Sequence, residues 1–150
     1  MMTELRQRSK ILAQISYNQD GLYEDYARRH GLNGKSLSIL MFVYYMSRGV
    51  TQNWIGKKTY SSKQVVNATI KKFLDKGYVF FEENPADKRH KKVKLTEAGR
   101  VYASRILDPL EEAEKTALSQ FSLEEQEQLL DLFGRYGQAL TEILGGDTND

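Results

Sequence analysis

The chain of 150 residues contains no cysteine, which excludes disulfides, thiolate metal sites and cysteine-based redox sensing. Its two histidines, His30 and His90, stand far apart and belong to no ligand-spaced cluster, so neither a metal nor any other cofactor is expected. There is no Gly-rich phosphate loop, no cysteine nucleophile and no Ser-His-acid spacing, and an enzyme is not expected. The longest apolar run, Ile39 to Met46, is far too short to span a bilayer, and the first residues are charged from Glu4 onward. The expectation is a cytoplasmic protein without a membrane anchor. Internal repeats, low-complexity tracts and interdomain linkers are lacking as well, which points to one domain over 1–150 with a real core.

Acidic residues are scarce in the middle third. Residues 48–100 carry thirteen Lys/Arg against five Asp/Glu, net +8, whereas 101–150 carry three against eleven, net −8. The first 47 residues carry six against four, net +2. A basic block beside an acidic tail suits a polyanion-binding unit joined to a part that avoids the polyanion. An acidic amphipathic helix pair that only keeps the protein soluble has the same charge pattern.

Within the basic block, residues 61–77 read as a helix with two unlike faces. Val66, Ile70, Phe73 and Leu74 recur at three- and four-residue spacing and are predicted to be buried. Lys63, Gln64, Asn67 and Lys71 share another side, with no acidic residue before Asp75. Gln and Asn can pair with adenine N6 and N7, and Lys reaches guanine or phosphate, so this face suits a DNA major groove. Ser61 with Gln64 fits a capping box, and Gly77 fits the left-handed residue that ends a helix. The plainer reading is that Gln64 only caps its helix and that Lys71 and Lys72 form a solvated face.

Along the chain, the rhythm of Leu5, Leu12, Ile15, Leu22 and Tyr26 predicts one long helix from Thr3 to His30, broken at Gly31-Leu-Asn-Gly34. Ser36 to Arg48, almost wholly apolar, is predicted as the central core helix. Thr51 can cap a short helix from Gln52 to Lys58 that buries Trp54 and Ile55. Thr59-Tyr60 then turns into the two-faced helix, giving a helix-turn-helix. Tyr78 to Glu82 and Lys91 to Leu95 read as strands of a hairpin, joined by a tip from Glu83 to His90. The cations Lys88, Arg89, Lys91 and Lys92, with His90, are more than a turn requires and suit phosphate or minor-groove contact. Thr96 caps a helix to about Leu118 with apolar positions Ala98, Tyr102, Ile106, Ala113 and Ala117, kinked by Pro109. Ser122-Leu-Glu-Glu125 is a capping box opening a last helix that stops at Gly145-Gly146, before a frayed tail from Asp147 to Asp150.

Several stretches together resemble the MarR family of winged-helix transcription regulators. They are Thr51-Gln52, Lys63-Gln-Val-Val-Asn67, Ile70-Lys-Lys72, Lys76-Gly-Tyr-Val79, Asp87-Lys-Arg89 and Leu95-Thr-Glu-Ala-Gly99. Gly56 and Phe73 depart from the family's usual Ala and smaller aliphatic residue. The implied fold is mainly α with a small β wing. A winged helix over 34–95 is flanked by long N- and C-terminal dimerisation helices, 1–33 and 96–146, whose first and last members interlock in a homodimer. The implied function is a regulator, read here as a repressor, on a pseudopalindromic double-stranded operator. Its DNA-binding residues are taken as Thr51, Gln52, Ser61, Ser62, Lys63, Gln64, Asn67, Lys71, Asp87, Lys88, Arg89, His90 and Lys91. Arg89 would enter the minor groove with Asp87 holding it. Apolar stripes at both ends, more than a compact winged helix can cover, agree with a second copy. They also agree with terminal helices folded back on their own chain.

Two further readings stay open. A sequence-indifferent architectural DNA binder would use the same basic block with little dependence on Gln64 and Asn67. The resemblance also implies a small-molecule effector between the dimer helices and the winged helix. Tyr17, Tyr23, Tyr26, Tyr44, Tyr45 and Tyr102 would wall that site for an aromatic or amphipathic ligand whose carboxylate meets Arg28 or Arg29. The same tyrosines at helical spacing fit plain core or dimer interface.

Overall fold

The computed structural model describes residues 2–145. In chain order it holds α1 (Met2–Arg29), α2 (Gly34–Tyr45), β1 (Val50–Thr51), α3 (Gln52–Thr59), α4 (Lys63–Asp75), β2 (Val79–Glu82), β3 (Lys92–Leu95), α5 (Glu97–Ser119) and α6 (Leu123–Leu144). The strands form one antiparallel sheet of order β1-β3-β2. The chain divides into two units, one ending at Asp108 and the other beginning at Pro109, and α5 runs across that boundary.

In the first unit α2 is the core helix, because a helix apolar on all sides must be covered on all sides. Ile39 and Leu40 are fully buried, with Leu37 and Val43 nearly so. Asn33 caps it: the Asn33 side chain accepts from Ser36 N at 2.8 Å while Ser36 Oγ accepts from Asn33 N at 2.9 Å. The helix therefore starts at Gly34, two residues before the expected Ser36. It also ends at Tyr45 rather than Arg48, because the chain must turn at Met46 to bring Val50 and Thr51 alongside Val93 and Lys92. That strand was not foreseen, since two residues have no periodicity to read.

Thr51 caps α3 as expected, its side chain accepting from Trp54 N at 3.1 Å. Ile55 is fully buried. Trp54 is only half covered, edge-on to Phe42 at 5.5 Å.

The cap of α4 is Ser62, not Ser61. Ser62 Oγ accepts from Val65 N at 3.2 Å, whereas Ser61 Oγ lies 2.7 Å from Thr59 Oγ1 and helps close the turn. Gln64 is thus outside the cap, and the expected box with Ser61 is replaced. Val66, Ile70 and Phe73 are buried, but Leu74 is 40% exposed. It lies about 100° round the helix from Phe73, beyond the edge of the core. Gly77, at φ 77, ends the helix: Gly77 N donates to Leu74 O at 3.0 Å and Tyr78 N to Phe73 O at 2.8 Å. Ser62→Ala is expected to cost about 1 kcal/mol in urea unfolding, and Gln64→Ala a few tenths at most. An equal loss for Gln64→Ala would restore the expected box.

The hairpin pairs Val79 with Leu95 and Phe81 with Val93, placing Val79, Val93 and Leu95 on the core. Lys94 and Glu82 pair at 2.8 Å. Each strand is one residue shorter at its first end than expected, without Tyr78 or Lys91. In α5 the buried face is Gly99, Ala103, Ile106 and Leu107; Ala98, Ala113 and Ala117, expected on the apolar stripe, are exposed. The face shifts because Gly99, not Ala98, sits against the Tyr78 backbone. Phe73 and Tyr78 pack beside Tyr102, the latter stacked at 4.1 Å. Along α1, Leu5, Ile11, Leu12, Ile15, Tyr17, Leu22 and Tyr23 are exposed, and among the described residues of the helix only Ala27 is fully buried.

The second unit holds the rest of α5, continuous through Pro109, and α6. The expected box forms: Ser122 Oγ accepts from Glu125 N at 3.1 Å and Glu125 Oε1 from Ser122 N at 2.9 Å. These bonds hold the Glu125 carboxyl below the ordinary carboxylate value. No residue of α6 is buried, and Leu130, Leu132, Phe133, Ile143 and Leu144 are widely exposed. The helix closes at Leu144 with Gly145 as its cap; Gly146 and the tail 147–150 lie outside the described residues.

Candidate nucleic-acid interface

The exposed side of α4 carries Lys63, Gln64, Asn67 and Lys71, as its period requires once Val66, Ile70 and Phe73 are turned inward. The fold brings the wing to this side. A cleft of about 610 Å³ is lined by Gln52 and Asn53 from α3, by Lys63, Val66 and Asn67 from α4, by Phe81 from β2, and by Arg89, His90 and Lys91 from the wing. Six of the expected DNA-binding residues therefore meet in one place. Gln64, Lys71 and Ser62 are exposed on α4 or just before it, outside the cleft lining, and Asp87 and Lys88 are exposed on the wing tip. Thr51 is occupied by its cap, and Ser61 lines a neighbouring cleft.

Asn53 and Phe81 escaped the sequence reading. The period-2 alternation from buried Val79 would have placed Phe81 on the inner side of the wing. Gln52 Oε1 is buried without a hydrogen-bond partner. Such an unmet acceptor is rare in folded proteins.

The wing tip is held by its own side chains. Asn84 Oδ1 accepts from Ala86 N at 3.2 Å, Asp87 Oδ1 accepts from Arg89 N at 3.0 Å, and His90 Nδ1 lies 2.7 Å from Asp87 Oδ2. Asp87 thus positions Arg89 through its backbone amide rather than its guanidinium. The His90 bond first, and the Arg89 amide second, hold the Asp87 carboxyl below its ordinary value. The ionised form is the one favoured. This ordering of the tip is therefore present above the ordinary carboxylate value and lost as pH falls through the lowered one.

The expected effector residues are spread over α1, α2 and α5. The Tyr26 hydroxyl donates to Ile106 O with Arg29 over its ring at 5.4 Å, and Arg28 pairs with Glu24 at 3.1 Å. The Tyr44 hydroxyl bonds Asp108 at 2.9 Å, and Tyr17, Tyr23 and Tyr45 are exposed. Tyr102 lines a cavity of about 300 Å³, with Leu32, Lys72, Phe73 and Lys76 among its neighbours. Burial first, and Tyr78 second, push its hydroxyl above the ordinary tyrosine value. Among the described residues no helix is long and apolar enough to cross a membrane, and no group of three or more His, Cys, Asp or Glu could hold a metal ion.

A short capped helix, a tight turn, a second helix with a bare polar face and a cationic hairpin beside it define a winged helix-turn-helix protein. Residues 30–90, which hold the helix-turn-helix and most of the wing, match the family model of the MarR family. That is a family of transcription regulators, not of enzymes. The chain is similar in fold to NMB1585, a MarR family regulator from Neisseria meningitidis. The two are 19% identical, with a TM-score of 0.76 over 97% of this chain and 99% of that one. It is also similar to MepR from S. aureus in its DNA-binding conformation, at 22% identity and a TM-score of 0.76 over 89% and 98%. For the S. aureus MepR-DNA complex the values are 22% and 0.70 over 88% and 97%. No curated protein matches the chain in sequence.

Proposed function

We propose that the protein is a transcription regulator that reads double-stranded DNA by sequence. In this reading a homodimer lies on a pseudopalindromic operator and represses by occupying it. The observation that carries the reading is the cleft in which Lys63 and Asn67 of α4 meet Arg89, His90 and Lys91 of the wing. A helix face with paired-contact amides suits the major groove, and a cationic tip beside it suits phosphate or the minor groove. The solved MepR-DNA complex supports the same use of the fold.

The dimer is supported by the exposed apolar residues of α1 and of α6, far more than a soluble monomer ordinarily leaves uncovered. In the reading, a second copy covers them, and 1–33 and 96–146 serve as the dimerisation parts. Sedimentation of the full chain is expected to give a dimer at micromolar concentration; a monomer would refute this. A small aromatic or amphipathic effector completes the reading. It can release DNA only by binding the DNA-bound dimer more weakly, by the same factor that it weakens DNA binding.

Selection from a random duplex library followed by titration tests the sequence reading. Asn67→Ala and Gln64→Ala are expected to cost about 1 to 3 kcal/mol on the selected site and little on random duplex, while Lys71→Ala weakens both. Failure of the library to converge, with equal affinity for every duplex, would favour the architectural reading instead.

A further inference from the structure

Tyr60, in the turn between α3 and α4, has φ 52 and ψ 43, and among the described residues it is the one non-glycine at positive φ. A bulky residue is an outlier there, since its Cβ crowds the following carbonyl and glycine or asparagine would relieve the crowding. Packing does not compensate, because Tyr60 is 87% exposed. The backbone around it is clamped: Lys35 Nζ donates to Thr59 O at 2.6 Å and to Tyr60 O at 3.0 Å, and Ser61 N donates to Gly56 O at 3.0 Å. Tyr60 is the left-handed cap of α3, a place glycine or asparagine usually fills, so a tyrosine kept there with its side chain in solvent points to a partner for that side chain.

Beside Tyr60 lies a second cleft of about 590 Å³, which Tyr60 lines with Lys57, Ser61, Asn53 and Lys63. Its lining contains no carboxylate and no wing residue. It shares Gln52, Asn53 and Lys63 with the wing-side cleft, so the two open around the start of α4. A helix seated in a major groove lies between two sugar-phosphate backbones. The wing-side cleft accounts for one of them.

We propose that Tyr60 and Lys57 form a second phosphate-binding site, which receives the DNA strand across the major groove from the one met by the wing. The Tyr60 hydroxyl donates to a non-bridging phosphate oxygen, and the Lys57 ammonium pairs with the same or the adjoining phosphate. Asn53 and Ser61 offer further donors. The inference rests on the reading of α4 as a groove-inserted helix.

The test uses the full-length chain, a duplex selected from a random library and a random-sequence duplex. Tyr60→Phe keeps ring and backbone, so its thermal midpoint is expected to be unchanged while affinity for both duplexes falls about tenfold, the worth of a hydrogen bond to a charged group. Lys57→Gln is expected to flatten the dependence of log affinity on log salt by about 0.9, one phosphate contact. Tyr60→Gly, which removes the strain, is expected to melt higher and bind more weakly. Ethylation interference should find a phosphate that matters to the wild type and not to Tyr60→Phe. If Tyr60→Phe and Lys57→Gln bind like wild type while Asn67→Ala loses site preference, the second site is refuted and the DNA reading stands. A lower melting point for Tyr60→Gly would make the ring structural and overturn the proposal. If the wild type binds neither duplex, both readings fall.

Discussion

Gly99→Ala is expected to lower the stability of the folded chain by about 3 kcal/mol, at the upper end of what overpacking costs. A Cβ on Gly99 would lie 1.8 Å from Tyr78 O and 2.7 Å from the Tyr78 carbonyl carbon. The neighbour is backbone, and it is held on both sides. Tyr78 N donates to Phe73 O, Tyr78 O accepts from Thr96 N at 3.0 Å, and Val79 is paired with Leu95. No side chain can swing away to make room, so the start of α5 must move off the wing or the hairpin must shift. Either movement also disturbs the cleft that Phe81, Arg89 and His90 share with α4. The urea midpoint should fall well below that of Ala98→Gly, a change at the neighbouring exposed residue that costs at most about 1 kcal/mol. A Gly99→Ala protein that unfolds at the wild-type midpoint would show that the contact yields.

Arg89→Ala is expected to weaken operator binding by about tenfold to a hundredfold, and Asp87→Ala to weaken it in the same direction although it removes a negative charge. Arg89 is exposed at the wing and lines the cleft, so its planar, weakly hydrated guanidinium is free to enter a narrow electronegative groove. Asp87 holds the tip through the Arg89 amide and the His90 ring. Without it, those groups lose the geometry that presents Arg89, and the entropy of ordering them falls on the binding step. Titration of a selected duplex at fixed salt measures both. Tighter binding by Asp87→Ala would mean that its charge outweighs its ordering role.

The sequence by itself determined whatever is decided within about one helical turn. The Ser122 and Glu125 box, the Thr51 cap, the break near Asn33 and the stop at Gly77 are made by residues at most five apart, so their signals lie side by side in the chain. The bare face of α4 was equally legible, because the burial of Val66, Ile70 and Phe73 dictates by helical period where Lys63, Gln64, Asn67 and Lys71 must point.

What only the tertiary structure decided depends on partners distant in the chain. Val50 and Thr51 become a strand because Val93 and Lys92 lie beside them, and that pairing also ends α2 early. The motif around Gly99 was visible, but its reason is the Tyr78 carbonyl, set against it by the hairpin between them. Likewise Asn53 and Tyr60 carry no local signal of a site, and the alternation that turns Phe81 inward does not say what it will face. They line clefts because the fold carries α3, the turn and the wing to the same end of α4, and clefts form between elements rather than along them.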